Sequence, residues 1–212
     1  MLFLDILVIA LFWVTHPVSC LPSPTGPSYD PLEGKALANL TWTGRLTEDG
    51  PNVSLTGRSI ADISWQIKHV APGFVWPEPL AQLRDTQPLP LAKKKRSEHR
   101  MLCDEVAGAY ANYEDVLDQT AQLQAMPGFC RVAPTPEGEG KPLSCNRLTC
   151  AGGSAIFLCN HSNNHDSIST CARVGQYAKE IVEWCYDGTS ADVKGQVYDG
   201  DYWSVMVHAD KC

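Results

Sequence analysis

Three groups of side chains in this sequence have types and spacings that could do chemistry. They are the tetrabasic run Lys93-Lys94-Lys95-Arg96, the eight cysteines that all follow it, and the polar cluster His161-Ser162-Asn163-Asn164-His165-Asp166. Consecutive basic residues are substrates for kexin- or furin-type proteases, whose acidic pockets bind adjacent cations and cut after the last one. That makes Lys95, Arg96 and Ser97 the processing residues, with the cut between Arg96 and Ser97. A nuclear localisation signal or a nucleic-acid patch would use the same residue types, and both conflict with the N-terminal leader described below.

The cysteines number nine, and none lies between Leu21 and Arg96. Cys20 sits where a signal peptide would be cut, which leaves an even set: Cys103, Cys130, Cys145, Cys150, Cys159, Cys171, Cys185 and Cys212. In an oxidising compartment such thiols pair, so four disulfides are expected. Metal binding is not: Cys145 and Cys150 have no second close pair to complete a zinc knuckle. The connectivity stays open, with on the order of a hundred pairings for eight cysteines.

Two histidines four apart can hold a metal on a helix, but His161 and His165 fall in a polar loop, and Asn160-His161-Ser162 is a glycosylation sequon. Asn39 and Asn52 head two further sequons. A ribonuclease-like hydrolase would need His161, His165 or His208 as acid and base near a cation such as Arg147. The charge opposes this, because residues 97–212 carry 8 Lys and Arg against 16 Asp and Glu, a net of −8, which repels phosphate. No catalytic residue, metal or cofactor is therefore expected, and a small secreted hydrolase using the His161/His165 loop is the alternative reading. Tyr198, Tyr202 and Trp203 are candidates for a face that binds carbohydrate or protein. Gly152-Gly153 reads as a turn, since no Lys-Ser or Lys-Thr follows to make a phosphate loop.

The elements that must position these groups follow from periodicity. Ile168, Cys171, Val174, Ala178, Ile181, Val182 and Cys185 recur at helical spacing and predict a helix from Asp166 to Tyr186, capped by Asp166 or Ser167 and ended by Gly188. Cys171 and Cys185 lie on one face, but about 21 Å apart at 1.5 Å per residue, so each must tie the helix to a different element. Strands are predicted at Ser144–Cys150 and Ser154–Asn160 around the Gly152-Gly153 turn, and at Gly195–Tyr198 and Tyr202–His208 around Asp199-Gly200. A second helix is predicted from Tyr113 to Leu123, with Val116, Ala121 and Leu123 inward and Met126-Pro127-Gly128 as its stop; a loop follows over 133–143. The fold class is α+β, a compact two-layer sandwich of antiparallel sheet and two helices stapled by disulfides.

Three regions follow. Residues 1–20 read as a signal peptide, because the apolar run Ile6 to Val14 is too short for a stable membrane span. Residues 21–96 form a propiece with its ordered part at about 38–75, a strand-strand-helix pattern, and a proline-rich linker over 76–96 that would leave the basic run accessible to protease. Leu40, Trp42 and Gly44 alternate with Thr41, Thr43 and Arg45, and Ile60, Ile63, Ile67 and Val70 repeat behind Ser59. Such a propiece is too small to hold a core alone, so Trp42, Trp65 and Trp76 need a partner surface, either as a docked folding aid or as a mere spacer. Its 9 Lys and Arg against 7 Asp and Glu, a net of +2, favour docking on the acidic region. Residues 97–212 form the mature cysteine-rich domain.

The stretches Ser144-Cys145-Asn146-Arg147-Leu148-Thr149-Cys150, Ser154-Ala155-Ile156-Phe157-Leu158-Cys159-Asn160 and Cys171 to Cys185 with Gly195-Gln196-Val197-Tyr198-Asp199 resemble a group of fungal small secreted cysteine-rich proteins. Trp42-Thr43-Gly44 and Leu55-Thr56-Gly57 resemble the propieces of the same group. The resemblance implies a kexin-processed, extracellular candidate effector with an α/β sandwich similar to killer toxins, acting on an extracellular protein or glycan target. It carries over no catalytic signature, and likeness of fold does not transfer activity.

Overall fold

The computed structural model describes residues 36–78, 100–134 without 104 and 107, and 144–212. The leader over 1–20, most of the linker, the processing residues Lys95, Arg96 and Ser97, and the loop 135–143 lie outside the described residues.

Strand β1 (Ala36–Leu37), β2 (Leu40–Arg45), β3 (Asn52–Gly57) and helix α1 (Ile60–Val70) come first in the chain. In β2 the pleat sends Leu40, Trp42 and Gly44 inward and Thr41, Thr43 and Arg45 outward. Helix α1 is capped by Ser59, whose hydroxyl accepts the Asp62 N–H, and it buries Ile63 and Ile67, one turn apart. Asp62 in its first turn and Lys68 and His69 in its last complement the helix dipole.

The rest of the chain supplies β4 (Arg100–Leu102), β5 (Ala111–Asn112), α2 (Tyr113–Ala125), β6 (Phe129–Val132), β7 (Ser144–Ala151), β8 (Ser154–Asn160), β9 (Ser167–Thr170), α3 (Cys171–Cys185), β10 (Asp192–Val193), β11 (Gly195–Tyr198) and β12 (Trp203–Ala209). Asn112 caps α2 by accepting the N–H groups of Glu114 and Asp115, and α2 buries Val116, Ala121 and Leu123.

Among the described residues, two main sheets and three helices enclose one core. The six-stranded sheet runs β1-β7-β8-β12-β11-β4 and the four-stranded sheet β3-β2-β6-β9, with a small β10-β5 ribbon beside them. Pairing is antiparallel throughout except between β1 and β7. Leu40, Trp42, Cys130 and Val132 of the smaller sheet pack with Ile156, Leu158, Val205 and Val207 of the larger and with all three helices. The opposite face of the larger sheet carries a second cluster around Phe157, Met206, Val106 and the Cys145 and Cys159 side chains. A Cβ on Gly175 of α3 would stand 2.8 Å from the backbone nitrogen of Gln124, so the absence of a side chain lets α3 lie directly on α2.

The fold is α+β with mostly antiparallel sheets, but its single expected sheet is two, and its layers are not confined to residues 97–212. Strand β2 lies between β3 and β6, so the N-terminal segment supplies two of the four strands of the smaller sheet. Trp42 is fully buried, Trp76 packs edge-on against it at 5.5 Å, and Trp65 stays 63% exposed beside His69.

One boundary differs for a clear reason. The helix expected from Asp166 starts at Cys171, capped by Thr170, and residues 167–170 form β9. Ser167 and Ser169 point inward while Ile168, assigned to the inner helix face, is 56% exposed. Ile168 and Thr170 are β-branched and find a partner strand in β6, which settles a period that four residues leave ambiguous.

Four disulfides close the structure: Cys103–Cys185, Cys130–Cys171, Cys145–Cys159 and Cys150–Cys212. Cys171 and Cys185 do tie the two ends of α3 to separate elements, β6 and the turn after β4. Such bonds persist in oxidising compartments, consistent with an extracellular protein. No helix among the described residues is long and apolar enough to cross a membrane.

Candidate functional site

His161 follows the last residue of β8, and its backbone N–H donates to the Tyr202 carbonyl at 2.8 Å. This places the imidazole over β11 and β12, where Tyr198 and Ser204 stand opposite each other in register. The His161 Nε2 is 2.7 Å from the Ser204 Oγ, and the Gln196 amide donates to the same oxygen at 2.8 Å. The Tyr198 hydroxyl donates to the Gln196 Oε1 at 3.1 Å, which fixes the amide's orientation. The His161 and Tyr198 rings are 5.1 Å apart, and the Arg100 guanidinium lies 5.5 Å over Tyr198.

Serine beside an imidazole is the first half of a nucleophile-base pair. The 2.7 Å separation of His161 Nε2 and Ser204 Oγ is the hydrogen-bonded contact that such a pair requires. Access is what fails. Ser204 has zero exposure, so no substrate carbon can approach its oxygen, and the pair instead binds the loop after β8 to β11 and β12.

The other candidates are dispersed. His165 is exposed; its carbonyl accepts from the Asn160 amide, and among the described residues its ring makes no hydrogen bond. Asp166 forms an ion pair with Arg131 at 3.2 Å instead of capping α3. Arg147 is held by Asp210 at 2.8 Å and by the Lys211 carbonyl at 2.7 Å. His208 is buried, stacked 4.5 Å from Phe157, with Nδ1 at 2.7 Å from the Ala209 carbonyl. Among the described residues no group of three or more His, Cys, Asp or Glu could hold a metal ion.

The aromatic trio is also split. Trp203 is buried and stacks 5.0 Å from Tyr177, Tyr198 belongs to the His161 network, and Tyr202 alone projects, 71% exposed with φ at 61°. Behind Trp203 lies a network that the sequence reading missed. The buried Asp199 carboxylate accepts the Tyr177 hydroxyl and an Arg173 N–H at 2.7 Å. Burial, and next the bond to Asp199, push the Tyr177 phenol up to about 12. The spacing of Arg173 and Tyr177, one helical turn apart, was its available signal.

Asn160, expected to carry a glycan beside a polar loop, is enclosed at the end of β8. It has zero exposure, and its amide nitrogen, the atom a glycan would join, donates to the carbonyls of Val132 at 3.0 Å and His165 at 2.8 Å. The polarity of residues 161–166 signalled a solvated loop, but Asn160 itself closes β8. Asn39 and Asn52 are exposed.

One surface open to a partner is the outer side of the four-stranded sheet. Ser54, Thr43, Phe129 and Thr170 lie in one row across the strands, and Thr56, Thr41, Arg131 and Ile168 in the next. The hydroxyls of Thr41 and Thr56 are 3.0 Å apart and those of Thr43 and Ser54 2.8 Å, making a short hydroxyl ladder. Beside it Phe129 is 49% and Ile168 56% exposed. Comparison of the chain with known protein families, curated proteins and solved structures finds no match.

Proposed function

We propose that this protein is a secreted, proteolytically matured effector or toxin-like protein that acts by binding an extracellular protein or glycan, in keeping with the fungal secreted proteins its motifs resemble. The observation that carries this reading is the outer side of the four-stranded sheet. A disulfide-stapled scaffold holds paired hydroxyls next to an exposed aromatic ring and an exposed aliphatic side chain, the mixture that contacts sugar rings and protein surfaces. The buried position of Ser204 favours this over the hydrolase alternative at His161. Kexin-type cleavage after Arg96 fits the disulfide pattern, since no bridge reaches residues 36–78.

The test is saturable binding of the labelled, secreted protein to intact cells or isolated cell walls. Phe129→Ser with Ile168→Ser should weaken it at least tenfold, while His161→Ala leaves it within a few-fold. If the sheet variant binds as wild type, or if His161→Ala alone removes biological activity with thermal stability unchanged, the reading is wrong.

A further inference from the structure

Resting on the proposed cut after Arg96, we infer that cleavage does not release a free mature domain: the segment ending before the cut remains a non-covalent subunit, and the working protein is a two-chain assembly. The partner of the surface on residues 100–212 is the chain's own N-terminal segment.

Shedding that segment would remove β3 and β2, one half of the four-stranded sheet, and leave β6 with a bare edge. β2 pairs with β6 from Leu40↔Val132 to Thr43↔Phe129, and β1 pairs with β7 at Ala36↔Ser144 and Leu37↔Cys145. Leu40, Trp42, Ile63 and Ile67 are at most 1% exposed, all against a core whose remaining members belong to residues 111–207. Polar groups are committed in the same way. The Trp42 indole donates to the Pro127 carbonyl at 2.8 Å, and the buried Asn146 amide gives its two hydrogens to the carbonyls of Ala38 at 2.7 Å and Arg58 at 2.9 Å. Departure would leave Asn146 without either acceptor and expose Leu148, Cys130 and Val132. Gly128, with φ at 88°, is shaped for this contact: a Cβ there would lie 2.4 Å from the Thr43 carbonyl.

The proposed binding face is composite. Each of its rows takes two residues from the N-terminal segment and two from the rest, so the face exists only while both pieces stay together.

The experiment starts from the purified full chain cut with a kexin-type protease under native conditions, followed by size exclusion and native mass spectrometry. The expected result is one species with both fragments at equal stoichiometry, which separates in denaturant without reductant. Trp42→Phe, which keeps an aromatic ring but loses the indole donor and part of the buried bulk, should weaken the association of the cut pieces at least severalfold. Elution of the cysteine-bearing fragment by itself, folded or aggregated, overturns the inference. A chain that resists the protease overturns the processing reading instead; association is then read on a chain with a specific-protease site inserted after Arg96, where the same two outcomes decide.

Discussion

Trp42→Ala in the uncut protein measures how much the N-terminal segment contributes to stability. The side chain is fully buried, packs edge-on against Trp76 at 5.5 Å, and donates to the Pro127 carbonyl at 2.8 Å. Removing a buried tryptophan costs about 3–5 kcal/mol in transfer and cavity energy. Against a total of roughly 5–15 kcal/mol for a domain, that is a large share. At about 2–4 °C per kcal/mol for a chain of this size, the midpoint should fall by ~6–20 °C. Trp42→Phe keeps most of the apolar contact and loses one hydrogen bond, so about 1 kcal/mol is expected. Trp65→Ala is the control: at 63% exposure it should change stability by no more than about 0.5 kcal/mol. Equilibrium denaturation followed by far-UV circular dichroism, with disulfides intact, reads all three. If Trp42→Ala and Trp65→Ala cost the same small amount, the segment is a spacer and its place in the core is wrong.

Glycopeptide mapping of protein from a secretory host should find glycan at Asn39 or Asn52 and none at Asn160, because the Asn160 amide is buried and donating twice; an occupied Asn160 in folded protein would contradict the β8 end. Denaturing alkylation without reduction should label no cysteine of the eight, and peptide mapping should return Cys103–Cys185, Cys130–Cys171, Cys145–Cys159 and Cys150–Cys212; any other pairing refutes the topology. Tyr177 should ionise late, near 12, by ultraviolet titration, and Tyr177→Phe should remove that step. Because the folded phenol's pKa lies above the unfolded value of about 10, its stabilising effect is complete below pH 10 and is lost as the pH rises through about 12. If the variant instead lost a step at the ordinary value near 10, the buried, Asp199-bonded phenol would be refuted.

Local pattern was legible where one period dominated. The β7–β8 and β11–β12 hairpins, the inner faces of α2 and α3, and the need for Cys171 and Cys185 to find separate partners all followed from spacing alone. What was not legible was assembly. Nothing local in Leu40-Thr41-Trp42-Thr43 says that its neighbour will be Phe129–Val132, since pairing over such a separation is decided by the whole core. The candidate site failed for a related reason: His161 looked solvated because its sequence neighbours are polar, whereas its surroundings are set by Gln196, Tyr198 and Ser204 from another hairpin. Hydroxyls such as Thr41, Thr43, Ser54 and Thr56 read singly as the wet side of two strands, and only the register turns them into a ladder.

The inner position of β2 also sets a clock. Trp42 and its acceptor at Pro127 are separated by 85 residues, so the segment is made long before the strand that completes it. During synthesis only the β2–β3 hairpin and α1 have local partners, and a short hairpin with one helix is marginal by itself. Strands β6 and β9 then close over it, and the Cys130–Cys171 bridge locks their junction with α3. A cut made before that closure would convert an intramolecular search into a bimolecular one between two dilute fragments. For the proposed cut after Arg96 the order of events is therefore constrained: oxidation and folding first, proteolysis after, and a chain cut too early should accumulate as halves unable to find each other.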